Sequence, residues 1–174
     1  MLFQDESNIQ SIGKYAFFKS SLKNIKIPHH VKTIKEHCFN GCQQLIKIEF
    51  ADDSELEQYG FGQTAIKFIS IPCHVKQVSV RSFFFCKNLE FIDFHKKSEV
   101  TILDKYAFYG SFLKSIIFPS SITEIGDHAF AYCRNLQIVE ILENSQLKKI
   151  KKNAFSVSSL NTIMIPRKFN GICI

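Results

Sequence analysis

Residues 113–135 read Leu-Lys-Ser-Ile-Ile-Phe-Pro-Ser-Ser-Ile-Thr-Glu-Ile-Gly-Asp-His-Ala-Phe-Ala-Tyr-Cys-Arg-Asn. Three apolar features sit in this stretch at fixed distances. Leu113, Ile116 and Phe118 come first, and the last two lie two apart, the spacing of a strand with one face inward. Ile122 and Ile125 follow a proline and lie three apart. Phe130 closes the stretch within the turn-like His-Ala-Phe. The same order recurs along the whole chain. Phe17, Phe39, Phe61, Phe83, Phe108, Phe130 and Phe155 are separated by steps of 22, 22, 22, 25, 22 and 25 residues. Strand-like segments open five or six residues after each, at Leu22, Leu45, Ile66, Leu89, Leu113, Leu136 and Leu160. A period of this size predicts a solenoid, in which each repeat is a coil that cannot bury its apolar face alone.

The connections between strands are too long and too regular for hairpins, so one strand per coil, entered from the same side, predicts a parallel sheet. Seven strands and a partial one near Met1–Phe3 make about eight, a stack roughly 35 Å long at about 4.8 Å per strand. The pairs Ile9/Ile12, Val31/Ile34, Val75/Val78, Val100/Leu103, Ile122/Ile125 and Leu147/Ile150 read as a short second strand or turn on the far side. The phenylalanine then follows in a short turn or one-turn helix. Coils alternate between two kinds. One leaves its strand through Pro28, Pro72, Pro119 or Pro166, all the prolines in the chain, since proline ends a ladder. The other carries Glu49, Asp93 or Glu140 in the strand and a serine in the following loop. The first two-coil unit is shorter by about three residues in 51–55, so the coil around Leu56–Phe61 is expected to be the least regular.

The stretch 113–135 closely resembles the BspA-like leucine-rich repeats of surface proteins from anaerobic bacteria and parasitic protists, and the resemblance covers nearly all of residues 6–166. It implies an α/β-type leucine-rich repeat solenoid with a curved parallel sheet. The whole of 1–174 is then a single domain of about seven repeats of 21–25 residues. It also implies adhesion to host matrix or other cells. Binding residues vary between members, so none transfers to this chain.

With 45% apolar residues the 174-residue chain has enough for a continuous core. No stretch approaches 18 apolar residues, so no membrane span is expected. Met1–Gln10 contains Asp5 and Glu6 and lacks a basic region followed by an apolar run, so it does not read as a secretory signal. No Asn-x-Ser/Thr sequon is present. Cell-surface display by the usual route is therefore not supported by the chain itself; it reads as a piece of a longer protein, as an intracellular scaffold, or as a protein that leaves by another route. Neither end resembles the polar cap a solenoid needs, so the ends are expected to be covered by further repeats or by self-association.

Cys42, Cys86 and Cys133 occupy one slot, three residues after the phenylalanine in alternate coils. Slots two coils apart lie about 10 Å from each other, beyond disulfide reach, so these read as small buried fillers. Cys38 stands where Ala129 stands in an equivalent coil, while Cys73 and Cys173 lie off the ladder. His29, His30 and His37 with Cys38 and Cys42 have residue types that suit zinc. His37 aligns with His128, Cys38 and Cys42 follow from the repeat, and no Cys-x2–4-Cys pair is matched by a second, so no metal and no cofactor is expected. Glu49, Asp93 and Glu140 recur as one repeat position on an open face, with no pocket to separate their pKa values. No nucleophile-elbow, phosphate-loop or dinucleotide pattern occurs, and the chain reads as a non-enzyme.

The third and fifth residues of each strand segment face outward. They bring Phe68, Phe91, Ile117 and Ile138 to the concave face, with Asp93 and Glu140 at the rim. Exposed apolar neighbours rimmed by polar groups are the signature of a protein-binding patch; ordinary cross-strand shielding is the competing reading. Net charge +6 raises polyanion binding, to a glycosaminoglycan or nucleic acid, as the second class. Lys96, Lys97, Lys148, Lys149, Lys151 and Lys152 lie mostly in loops, whereas a polyanion site needs cations gathered with interleaved aromatics. Nucleic acid is thus not expected. The sequence reads as a protein-interaction module.

Overall fold

A computed structural model describes residues 8–35, 37–50 and 60–165. Among the described residues, coils carry a wide strand and, on the opposite side, a narrow one. The wide strands are β2 (Asn24–Ile27), β4 (Lys47–Phe50), β5 (Phe68–Ile71), β7 (Phe91–Phe94), β9 (Ser115–Phe118), β11 (Ile138–Ile141) and β13 (Thr162–Met164). The narrow ones are β1 (Ser11–Ile12), β3 (Thr33–Ile34), β6 (Gln77–Val78), β8 (Ile102–Leu103), β10 (Glu124–Ile125) and β12 (Lys149–Ile150). Every pairing is parallel. The partial strand expected near Met1–Phe3 and the irregular coil at Leu56 lie outside the described residues. So do Pro166 and Cys173.

The wide strands alternate as the sequence predicts. Ile25, Ile27, Ile69, Ile71, Ile116, Phe118, Val139 and Ile141 are buried, while their strand neighbours Asn24, Lys26, Phe68, Ser70 and Ile117 are exposed. The second member of each apolar pair on the far side is the buried residue of a narrow strand, as are Val78, Leu103 and Ile125. The phenylalanine stations are turns; no helix forms among the described residues.

The seven phenylalanine rings form one unbroken file through the core. Phe83, Phe108 and Phe130 stack at 5.1 Å between successive centroids and within 7° of parallel. The file loses that order only around Phe61, where rings tilt by 22° and 28° and Phe50 meets Phe61 edge-on. This is the coil with the shortened loop.

A column of backbone hydrogen bonds runs beside the rings. The Phe83 N–H donates to the Ala107 carbonyl (2.7 Å), that of Phe85 to Tyr109 (2.8 Å), that of Phe108 to Ala129 (2.8 Å) and that of Gly110 to Ala131 (2.9 Å). Left-handed residues bracket the rings: Tyr15, His37, Arg81, Tyr106, His128 and Asn153 stand two residues before six of them, and Lys19, Gln63, Phe85, Tyr132 and Val157 two after. Gly41 and Gly110 fill the second slot in two coils. A left-handed L-residue costs about 1–2 kcal/mol, so the turn persists because the coil-to-coil hydrogen bonds require it. A Cβ on Gly110 would lie 2.6 Å from the Phe85 ring.

The wide sheet divides into β2–β4, β5–β7 and β9–β11–β13. A proline-type strand pairs with the acidic-type strand after it, while β4 and β5, and β7 and β9, touch without a continuous ladder; β11 and β13 stay paired across the same kind of boundary.

The cysteine slot alternates with hydroxyls. Ser20 Oγ lies 3.3 Å from Cys42 Sγ, Thr64 Oγ1 3.5 Å from Cys86 Sγ, and Ser111 Oγ 3.3 Å from Cys133 Sγ. Each thiol donates to the carbonyl of the phenylalanine one coil back: Cys42 to Phe17, Cys86 to Phe61 and Cys133 to Phe108. Burial pushes the Cys86 and Cys133 thiols up to about 11, and that of Cys38 to about 12, so they stay protonated and unreactive.

Candidate binding face

The outward side of the wide sheet collects the residues the strand alternation selects. Phe68 and Phe91 are 54% and 48% exposed and stand directly opposite each other on β5 and β7. Ser70 and Asp93 form the next rung. On the second block Ile117 is paired with Glu140, and Ile138 with Ser115. Both isoleucines remain exposed. The six residues therefore fall into two clusters: Phe68, Phe91 and Asp93 on β5–β7, and Ile117, Ile138 and Glu140 on β9–β11. Lys114 bridges them. Its ammonium lies 5.3 Å from the Phe91 ring centroid and pairs with the Glu90 carboxylate, while its N–H donates to the Glu90 carbonyl (3.2 Å). That pairing holds the Glu90 carboxyl below the usual carboxylate range. The Lys47 ammonium does the same to Glu49.

The face is not continuous. Between β4 and β5 a cleft of about 360 Å³ opens, lined by Glu49, Phe50, Phe68, Ser70, Cys73 and His95 among others. Phe68 thus forms a wall as well as a surface patch. Sequence reasoning did not find this cleft, although the shortened loop in 51–55 was a signal for it.

The residue types that suit metal or acid–base chemistry are dispersed. The His29 and His30 rings touch, 3.6 Å apart, whereas His37 stacks on Tyr15 and its Nδ1 lies 3.0 Å from Asn40 Nδ2. Cys38 and Cys42 are core residues. No group of three or more such ligands forms among the described residues. Asp93 and Glu140 sit on separate sheet blocks, Glu49 on a third. No helix among the described residues is long and apolar enough to cross a membrane.

A family model describing a BspA type leucine rich repeat region, in six copies, matches residues 3–98 and 54–173. The chain belongs to the BspA-type leucine-rich-repeat family. No curated protein sequence matches this BspA-type chain. Solved structures share its fold. A Treponema pallidum leucine-rich-repeat protein is similar with 21% identity and a TM-score of 0.64, over 95% of this chain and 69% of that one. A leucine-rich cell surface protein of Faecalibacterium prausnitzii gives 22% identity and 0.55, over 79% and 43%. The pneumococcal vaccine antigen PcpA gives 18% and 0.51, over 83% and 51%. This BspA-type chain therefore spans roughly half the length of the latter two.

Proposed function

We propose that the chain is a non-catalytic protein-interaction module and that its partner docks on the outward face of the wide sheet. The observation that carries this reading is the opposed pair Phe68 and Phe91, both about half exposed on paired strands at the edge of a cleft. A partner of fitting chemistry offers an apolar side chain to the cleft and the Phe68/Phe91 pair. It also places basic groups against Asp93 and Glu140, with Ile117 and Ile138 extending the apolar contact. Aromatic anchors beside a pocket carry most of the energy in such interfaces. The non-catalytic reading rests on the open face and on the separation of its carboxylates. An adhesive role, toward host matrix or other cells, is supported by the family and by the surface protein and vaccine antigen that share the fold.

The test compares wild type with Phe68→Ser/Phe91→Ser in binding to a panel of purified matrix proteins and in urea unfolding. Binding should be lost with stability changed by less than about 1 kcal/mol, because both rings are half exposed. Undiminished binding, or a stability loss above about 2 kcal/mol, overturns the assignment and makes the pair structural.

A further inference from the structure

The turn edge, where each coil passes its phenylalanine station, carries a second surface of opposite character. Phe84 stacks on Tyr109 at 5.2 Å, and Tyr109 meets Tyr132 at 5.1 Å, so three successive coils contribute one aromatic row. Tyr106 flanks the row, 5.6 Å from Tyr109. Cations are set among these rings. The Arg81 guanidinium lies 5.5 Å from both the Phe84 and the Tyr106 centroids. The Lys105 ammonium lies 5.0 Å from Tyr106, and the Arg134 guanidinium 6.0 Å from Tyr132.

A ring beneath a cation fixes its position without neutralising it. Arg81, Lys105 and Arg134 are exposed and make no ion pair among the described residues. Two carboxylates stand nearby. Asp104 accepts hydrogen bonds from Gln77 Nε2 and the Lys105 N–H, both at 2.6 Å, and Asp127 adds to the field on Lys151. The acids of the wide sheet, Glu49, Asp93 and Glu140, belong to a different face. The edge thus holds cations fixed among hydroxyl-bearing rings, with Asp104 beside Arg81. Burial and the neighbouring Tyr132 and Tyr106 push the Tyr109 hydroxyl up; a phenol is a donor at neutral pH in any case.

We infer that this edge binds a sulfated polysaccharide, with Arg81, Lys105 and Arg134 contacting its anionic groups and the Tyr109 and Tyr132 hydroxyls its polar backbone. Charge complementarity favours a polyanion. The ring arrangement favours a glycan over single-stranded nucleic acid, because base binding needs free aromatic faces. Here the rings are occupied by one another and by Arg81. The surface is independent of the wide-sheet face.

The experiment measures binding of the full chain to a heparin oligosaccharide, and to a single-stranded oligodeoxynucleotide of equal charge, as salt is varied. The variants are Arg81→Gln/Lys105→Gln/Arg134→Gln and, as an equal-charge control, Lys96→Gln/Lys97→Gln/Lys148→Gln. Losing three fixed contacts should lower the salt slope of heparin binding by about 2–3 and weaken binding on the order of 100-fold at about 0.15 M salt. The control should change it far less, and Phe68→Ser/Phe91→Ser should leave it intact. If the triple variant is destabilised, Lys105→Gln and Arg134→Gln are read singly, each expected to lower the slope by about 1. Equal losses in variant and control, no heparin binding, or tighter binding of the oligodeoxynucleotide would overturn the inference.

Discussion

Phe108→Ala removes a fully buried ring from the middle of the core file. Truncating a buried phenylalanine costs about 3–5 kcal/mol in lost burial and residual cavity. This ring also contacts Phe83 and Phe130, each at 5.1 Å and nearly parallel, and each aromatic pair adds about 0.5–1.5 kcal/mol beyond its burial. The sum is about 4–8 kcal/mol, comparable with the whole stability of many domains. Phe155 is half-buried and stacks only on Phe130 among the described residues, so Phe155→Ala should cost about 2 kcal/mol. In a quasi-one-dimensional fold a central coil couples to two neighbours and an outer one to fewer. Urea unfolding followed by circular dichroism reads the totals, and amide exchange separates local from global opening. Equal losses for the two variants, or a loss below about 1.5 kcal/mol for Phe108→Ala, would refute the reasoning.

Three further outcomes are expected. Val157 is β-branched, exposed and left-handed at φ 55°, so Val157→Asn should stabilise the fold by about 1 kcal/mol, read as a higher urea midpoint with an unchanged slope. Cys86 and Cys133 have thiols raised from 9.0 to about 11 by burial. A raised acid pKa means that the unfolded chain loses its proton first. Their contribution is thus intact below pH 9 and is lost as pH rises from 9 towards 11, on the order of 2–3 kcal/mol each. Unfolding at pH 8 and pH 10.5 checks this, and Cys86→Ser/Cys133→Ser should reduce the dependence to the part that Cys38 contributes. Gly110→Ala combines a left-handed φ of 66° with a Cβ 2.6 Å from the Phe85 ring. It should cost at least about 2 kcal/mol by the same measurement.

The period of the phenylalanines made the ring file, the parallel strands and the narrow second strands legible, because stacking equivalent coils superimposes equivalent positions. The division of the wide sheet was not legible: β7 and β9 part in a place where residue counts show nothing unusual, whereas β11 and β13 pair across an equivalent boundary. The left-handed residues around the rings were not legible, since the slots hold His37, Arg81, Tyr106 and Phe85 as readily as glycine. Coil-to-coil hydrogen bonds, invisible in any single repeat, impose that geometry. On the wide face alternation identified Phe68 and Phe91 correctly as exposed and opposed. The cleft beside Phe68 needed the absence of β4–β5 pairing. Phe84, Tyr109 and Tyr132 escaped notice because they occupy two different positions relative to the file and meet only in three dimensions. The thiols were read as small fillers. Their hydroxyl partners one coil away, and the phenylalanine carbonyls that they bond, give that slot a polar logic that spacing alone did not reveal.

The most direct test of the coil stack is residue-resolved amide hydrogen exchange. The account predicts slow exchange recurring at the ring and two residues beyond it: Phe39 and Gly41, Phe61 and Gln63, Phe83 and Phe85, Phe108 and Gly110, Phe130 and Tyr132, whose N–H groups all donate to the next coil. Protection gathered in one contiguous region, with fast exchange at most of these positions, would contradict it.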